Sequence, residues 1–139
     1  MKIMAVDFGD ARTGLAVCDR TEFLASPVGV IHEKEFYQTV NKVAAAVQEF
    51  DVKEVIVGYP KNMNGSIGER AQVCEAFAEE LRNRFPACKV VLWDERLSTV
   101  AAEKVLVDAD MRRNKRKKII DMMAAVVILQ NYLDSNPAH

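Results

Sequence analysis

Three carboxylates stand at positions where folding could bring them together: Asp7, Glu95 and Asp121. Asp7 ends a short apolar run, Glu95 follows a second one, and Asp121 lies within the most apolar stretch of the chain. In an open α/β sheet, ligands bind at the carboxyl ends of the parallel strands, so acids that end two strands meet at one edge. A helix that carries Asp121 on the same face as Ala124 and Ala125 could approach the sheet closely.

Such an arrangement favours metal-dependent chemistry. Crowded carboxylates repel one another unless a cation neutralises them. Oxygen ligands without nearby His or Cys select Mg²⁺ or Mn²⁺, and neither histidine fits the set, since His32 is predicted in a strand and His139 is the last residue. Two such ions roughly 4 Å apart can activate a water and stabilise the leaving oxygen during phosphodiester hydrolysis.

Each acid also has a structural interpretation that the residues alone leave open. Asp7 could accept hydrogen bonds from turn amides at its strand end. Glu95 could pair with Arg96 or another basic residue. Asp121 is predicted in the first turn of its helix, where the helix dipole favours any carboxylate.

The charge distribution indicates a contact with a polyanion. The formal net charge is −1, yet six of the 19 basic residues lie between Arg112 and Lys118, and the remainder of the chain carries −7. Such segregation is typical of nucleic-acid contacts, although most charge runs are only solvated faces. We expect the first half of this run to be poorly ordered and its last residues to begin the final helix. The basic residues are Arg112, Arg113, Lys115, Arg116, Lys117 and Lys118.

The elements that must position these residues follow from periodicity and turn chemistry. They predict an α/β fold with one mixed five-stranded sheet, antiparallel in an N-terminal meander and parallel elsewhere, with helices on both faces. Ser66 and Glu69 match a capping box for the second helix. The predicted strands are Lys2–Asp7, Thr13–Cys18, Ser26–His32, Lys53–Gly58 and Lys89–Trp93, and the predicted helices are Glu35–Phe50, Ser66–Phe85, Ser98–Val107 and Lys117–Leu133.

Composition narrows the class of protein. A chain of 139 residues, half of them hydrophobic, fits a single domain over residues 1–139. The longest unbroken apolar run, Met122–Leu129, is far shorter than the roughly 20 residues of a membrane span, and Asp7 interrupts the N-terminal run too early for a signal peptide. Three cysteines without metal-ligand spacing indicate reduced thiols and a cytoplasmic protein, which we expect to be a monomer or a weak homodimer.

Four ordered motifs resemble the YqgF family over nearly the whole chain. That resemblance implies an RNase H-like fold, catalytic metal-binding roles for Asp7, Glu95 and Asp121, and a nuclease that matures pre-16S ribosomal RNA or resolves Holliday junctions. A fourth carboxylate is left open, because strand alternation turns Asp94 away from Glu95. The motifs are Ala5–Gly9 with Arg12–Gly14, Val57–Pro60 with Asn64–Ser66, Asp94–Thr99, and Asp121 with Ala124, Ala125, Ile128 and Leu129.

Further candidate contacts for nucleic acid lie beside the predicted strand ends. Arg12 and Arg96 belong to the motifs themselves. The segment Tyr59–Ser66 is either a mobile lip over the site, with Lys61 and Asn62 facing substrate, or an ordinary surface connection.

Two other functions compete with the nuclease. Asp7-Phe8-Gly9 followed by Thr13-Gly14 also resembles the phosphate hairpin of actin-like ATPases and sugar kinases, but those enzymes close a second lobe over the nucleotide and this chain is too short to supply one. Neither a GxGxxG nor a Walker A sequence occurs. The other alternative is a nucleic-acid-binding module without catalysis. Residue types do not choose between RNA and branched DNA.

Overall fold

The computed structural model describes residues 2–18, 25–60, 68–94 and 113–135, with the side chains of the last helix described for residues 123–135. Five strands form one sheet in the order β3-β2-β1-β4-β5. Three helices complete this part of the chain. The elements are β1 (Ile3–Asp7), β2 (Arg12–Cys18), β3 (Ala25–His32), α1 (Phe36–Glu49), β4 (Glu54–Tyr59), α2 (Glu69–Arg84), β5 (Lys89–Asp94) and α3 (Arg113–Ser135).

The N-terminal meander is confirmed. Strand β1 pairs antiparallel with β2, placing Asp7 opposite Gly14. Strand β2 pairs antiparallel with β3, with a register shift between Leu15 and Ala16. Arg12, at the start of β2, lies opposite His32 at the end of β3. The turn between β1 and β2 therefore stands at the same edge of the sheet as the end of β1.

The second half of the sheet is parallel, as predicted. Strand β4 runs parallel to β1 and to β5, and helix α2 connects β4 to β5. The carboxyl ends of β1, β4 and β5 consequently share one edge, which we call the carboxyl edge. It carries Asp7, Tyr59 and Asp94, the last residues of these strands.

Two apolar clusters cover the two faces of the sheet. Met4 and Val6 belong to a cluster with α1 and α2, and we call this side the α1–α2 face. Ile3 and Ala5 belong to a cluster with α3, and we call that side the α3 face. Successive residues of a strand point to opposite faces. This alternation explains how one short strand serves both cores.

Helix α3 begins earlier than the sequence predicts. It starts at Arg113, so the expectation of a start near Lys117 is wrong, whereas poor order in the first half of the basic run stays a prediction. Lysine and arginine are good helix formers when solvated, which outweighs their mutual repulsion and the unfavourable helix dipole. Asp121 is therefore not a first-turn residue, and the dipole does not account for its presence.

The capping box is also a wrong prediction. Helix α2 begins at Glu69, with Gly68 as its N-cap and no side-chain hydrogen bond at the cap. Glu69 is thus the first helical residue, two positions too early to reach back as the glutamate of a capping box. A glycine N-cap costs only a few tenths of a kcal/mol relative to Ser or Asn.

Two further predictions concern an additional helix and the lack of a membrane-spanning segment. The predicted helix Ser98–Val107 lies outside the described residues. Within the described residues, none of the helices is long and apolar enough to cross a membrane.

Candidate active site

Asp7 stands at the centre of the carboxyl edge. It is the last residue of β1 and is half-buried. Ile3 and Ala5, two and four residues earlier, both pack in the cluster beneath α3. Because side chains alternate along a strand, Asp7 belongs to the α3 face. The carboxylate predicted to be catalytic therefore lies on the side of the sheet that α3 covers.

The backbone that follows Asp7 is fixed by packing and by close approach. The Phe8 ring lies 4.7 Å from the Phe77 ring and 5.9 Å from the Phe36 ring, measured between centroids. The Gly9 N–H donates to Thr13 Oγ1 at 3.3 Å. A Cβ at Gly9 would lie 1.9 Å from the carbonyl oxygen of Arg12, so no side chain fits there. These contacts restrict the conformation of the backbone between Asp7 and Arg12.

Arg70 ties helix α2 to this turn. Its Nη1 lies 2.7 Å from Asp10 Oδ1, and its Nη2 donates to the Phe8 carbonyl. The forked guanidinium can bind two acceptors at once, so one side chain holds both ends of a short segment directly after Asp7. Sequence reasoning missed this contact, because 60 residues separate Arg70 from Asp10 and no local pattern marks the pair.

The ends of β4 and β5 present polar groups on the other face. Tyr59 lies opposite Asp94 in the parallel register, and Tyr59 packs in the cluster with α1 and α2. The Tyr59 hydroxyl donates to Glu75 Oε1, and this hydrogen bond to a carboxylate raises the pKa of Tyr59 to about 12. Alternation along β5 places Asp94 with Val90 on the α1–α2 face, away from Asp7.

Three contacts place the C-terminal part of α3 on the sheet. The Tyr132 hydroxyl donates to Glu54 Oε1 at 2.5 Å, and Glu54 is the first residue of β4. The Ala25 N–H donates to Gln130 Oε1 at 3.0 Å. The Tyr132 ring lies 5.3 Å from the Trp93 ring, measured between centroids. The C-terminal part of α3 therefore packs across β3, β4 and β5 on the α3 face.

The remaining predicted site residues divide into two groups. For those in α3 the structure describes the backbone alone: Asp121, Arg113, Lys115, Arg116, Lys117 and Lys118. The others lie outside the described residues: Glu95, Lys61, Asn62, Arg96 and Arg112. Among the side chains that are described, no group of three or more His, Cys, Asp and Glu could hold a metal ion.

The sequence of this chain is similar to that of a known protein family. The RuvX family, described as Holliday junction resolvase, matches residues 1–135. The chain belongs to the RuvX family. This membership confirms the resemblance inferred from the four motifs.

Curated relatives of this RuvX chain are similar along their whole length. A protein of Bacillus mycoides (strain KBAB4), provisionally named a pre-16S rRNA nuclease, is 45% identical over 137 residues, which cover 97% of this chain and 99% of the relative. A protein of Desulforamulus reducens with the same provisional name is 45% identical over 135 residues, covering 97% and 98%.

Solved structures share the fold of this RuvX chain. The Thermus thermophilus RuvC in complex with a Holliday junction substrate covers 96% of the chain and 95% of its own, with a TM-score of 0.64 and 13% identity. The fowlpox virus Holliday junction resolvase covers 97% and 99%, with a TM-score of 0.59 and 16% identity. At these identities the likeness shows the fold alone, which is the predicted RNase H-like fold.

Proposed function

We propose that this chain is an endonuclease that hydrolyses phosphodiester bonds in ribosomal RNA precursor, at the 5′ end of 16S rRNA. The observation that carries the proposal is the position of Asp7, at the carboxyl edge and on the face of the sheet that α3 covers. The names of the 45%-identical relatives support the substrate. The family description makes branched DNA the second candidate.

Helix periodicity supports Asp121 as a partner of Asp7. Asp121 precedes Ala125 by four residues, so the two positions share one face of the helix. Ala125 is buried in the cluster between α3 and the sheet, on the face of the sheet to which Asp7 belongs.

Strand parity supports Glu95 as the third acid. Trp93 packs in the cluster beneath α3, and Glu95 follows Trp93 by two residues in the sequence. Residues two apart in a strand share a face, so continued alternation favours the face of Asp7. Asp94 has the opposite parity, which argues against Asp94 as a fourth ligand.

The donor set suits Mg²⁺ or Mn²⁺, the cofactor that we propose. Asp7, Glu95 and Asp121 offer carboxylate oxygens only, the ligands of hard cations. When bound, such ions supply a nucleophilic water near neutral pH and stabilise the leaving oxygen. The protein's part is to hold Asp7: Phe8, Gly9 and Arg70 fix the segment directly after it, so the carboxylate is positioned before substrate arrives.

The basic run in α3 supports a nucleic-acid substrate. Its residues from Arg113 to Lys118 lie in the helical turns that precede Asp121. Phosphate contacts there would hold a backbone beside the proposed acids without reading its sequence. Arg12, Lys61, Asn62, Arg96 and Arg112 remain predicted contacts. We propose action in the cytoplasm as a monomer or weak homodimer; the thiols of Cys18, Cys74 and Cys88 form no disulfide.

Asp7→Asn tests the proposal, because the amide keeps the shape of the side chain and removes its charge. We expect the cleavage rate on a pre-16S rRNA fragment in Mn²⁺ to fall by at least about 10³-fold, with the urea midpoint of unfolding unchanged. Asp51→Asn is the matched control, since Asp51 is exposed and precedes β4 at the opposite edge of the sheet. A four-way junction run in parallel distinguishes the two substrates. Binding of both without cleavage by the wild type would indicate the non-catalytic module and contradict the proposal.

A further inference from the structure

A cleft of about 560 Å³ opens beside the start of β2 and the end of β3. The carboxyl edge carries both the end of β1 and the start of β2, so this cleft lies next to Asp7 along that edge. Its volume is within the range of ligand sites, roughly 300–1,000 Å³. We call it the β3-side cleft, and it is lined by Ala11, Arg12, His32, Glu33 and Lys34.

The strand register places Asp7 and two residues of this cleft in a row on one face of the sheet. Asp7 lies opposite Gly14, so Arg12, two residues earlier, is its diagonal neighbour at about 7–8 Å. His32 lies directly opposite Arg12, about 5 Å away. Ala16, which has the same parity as Arg12 in β2, packs beneath α3. Asp7, Arg12 and His32 therefore follow one another on the α3 face.

The charges of the β3-side cleft favour an anion. Arg12 and Lys34 are cationic, and the exposed imidazole of His32 can donate a hydrogen bond. The carboxylate in the lining is Glu33, and Lys42 Nζ lies 2.9 Å from its Oε2. This hydrogen bond lowers the pKa of Glu33. The opposite charges of Glu33 and Lys42 offset each other in the ion pair. Counting Arg12, Glu33 and Lys34, the lining residues carry a formal charge of +1.

We propose that the β3-side cleft binds the phosphodiester backbone of the substrate strand next to the bond that is cut, through Arg12, His32 and Lys34. This inference rests on the proposed function and extends it. A guanidinium can hold a phosphate by two parallel hydrogen bonds, whereas an ammonium acts as a point charge. Contacts of this kind fix the register of the strand relative to Asp7 and carry no base specificity. Substrate would run from the acids towards the β3 side of the sheet.

The test compares Lys34→Gln with Lys53→Gln. Lys53 lies at the opposite end of the sheet, exposed and 3.0 Å from Asp51, farther from the cleft than the screening length of about 8–10 Å. Binding of a fluorescent single-stranded fragment of pre-16S rRNA is measured in EDTA over a series of salt concentrations. Each phosphate contact contributes about 0.7 to the slope of log affinity against log salt for a single strand.

We expect Lys34→Gln to flatten that slope by about 0.7, and Arg12→Gln combined with Lys34→Gln by about 1.4. Lys53→Gln should keep the wild-type slope. Equal slopes for the Lys34 and Lys53 variants, or a wild type that does not bind the fragment, would overturn the inference. Since no cleavage is measured, the result is separate from the Asp7→Asn test: a wild type that cuts but shows equal slopes leaves the proposed function intact.

Discussion

The two faces of the sheet bury different amounts of apolar surface. In the described part of the chain, the cluster on the α1–α2 face contains 18 buried residues, including Phe77, Leu81 and Met4. The cluster on the α3 face contains ten, among them the small residues Ala5 and Ala16. Burial of apolar area stabilises roughly in proportion to that area. Among the described residues, the α1–α2 face is therefore the larger source of stability.

The α3 face contains a buried carboxylate. Glu54 is 4% exposed and accepts a hydrogen bond from Tyr132 at one end of the sheet, and Asp7 lies at the other end. Small side chains let a helix approach a sheet closely, which a site shared between strand and helix requires. Among the described residues, one face thus contributes more of the apolar core, while the other carries Asp7, the proposed catalytic carboxylate.

A matched pair of leucines gives the strongest test of this division. Leu81 packs on the α1–α2 face and Leu129 on the α3 face, and both are 0% exposed. Each Leu→Ala change should cost about 2–5 kcal/mol of unfolding free energy, measured with urea. Cleavage per folded molecule should fall for Leu129→Ala, because α3 shifts, and stay near wild type for Leu81→Ala. The opposite ranking of cleavage rates would contradict the division.

We expect a smaller loss of stability when the hydrogen bond that anchors the C-terminal part of α3 to the sheet is removed. Tyr132→Phe removes the donor to Glu54 and leaves this buried carboxylate with Lys89, whose Nζ is 4.0 Å away. An unsatisfied buried acceptor costs about 1–3 kcal/mol, which urea unfolding at neutral pH can measure. Tyr37→Phe is the control, because Tyr37 is 55% exposed and its substitution should change stability by less than about 0.5 kcal/mol. Equal losses in the two variants would show that the buried bond does not hold α3.

The smallest effect concerns pH on the α1–α2 face. Tyr59 has a pKa of about 12 because its hydroxyl donates to Glu75, whereas an unfolded tyrosine ionises near 10. Between these values the unfolded chain releases a proton that the folded chain keeps, so stability falls as pH rises from about 10 to about 12. Urea unfolding at pH 9 and pH 11 should show a smaller decrease for Tyr59→Phe than for wild type. An identical decrease in both proteins would remove Tyr59 as its source.

The strands and most of the helices could be predicted because their signals are local. Alternation and short apolar runs predict five strands whose ends lie within one residue of the observed ends. The start of α3 could not be predicted from the local pattern, because repulsion within the basic run opposes its helix propensity. For the same reason, Asp121 is wrongly predicted in a first turn. Local pattern is a poor guide where two weak preferences oppose each other.

The geometry around Asp7 could be predicted only in part. The residue itself stands out, since a carboxylate ends an apolar strand. Arg70 does not, because its contacts with Phe8 and Asp10 join segments distant in sequence. The pairing of Arg12 with His32 depends on the register of β2 and β3, which includes an irregularity that the residue pattern does not reveal. Long-range contacts of this kind emerge only when the sheet is assembled.

The closed turn around Gly9 makes the spacing between Asp7 and Arg12 as important as their identities. A strand repeats every two residues, so a single inserted residue would turn Arg12 to the opposite face. At Gly9, the Arg12 carbonyl oxygen leaves no room for a side chain. The tightly packed turn therefore has little freedom to change its conformation and compensate for an insertion. Insertions and deletions in this turn should therefore be poorly tolerated. The number of residues in this hairpin is itself a determinant of the site.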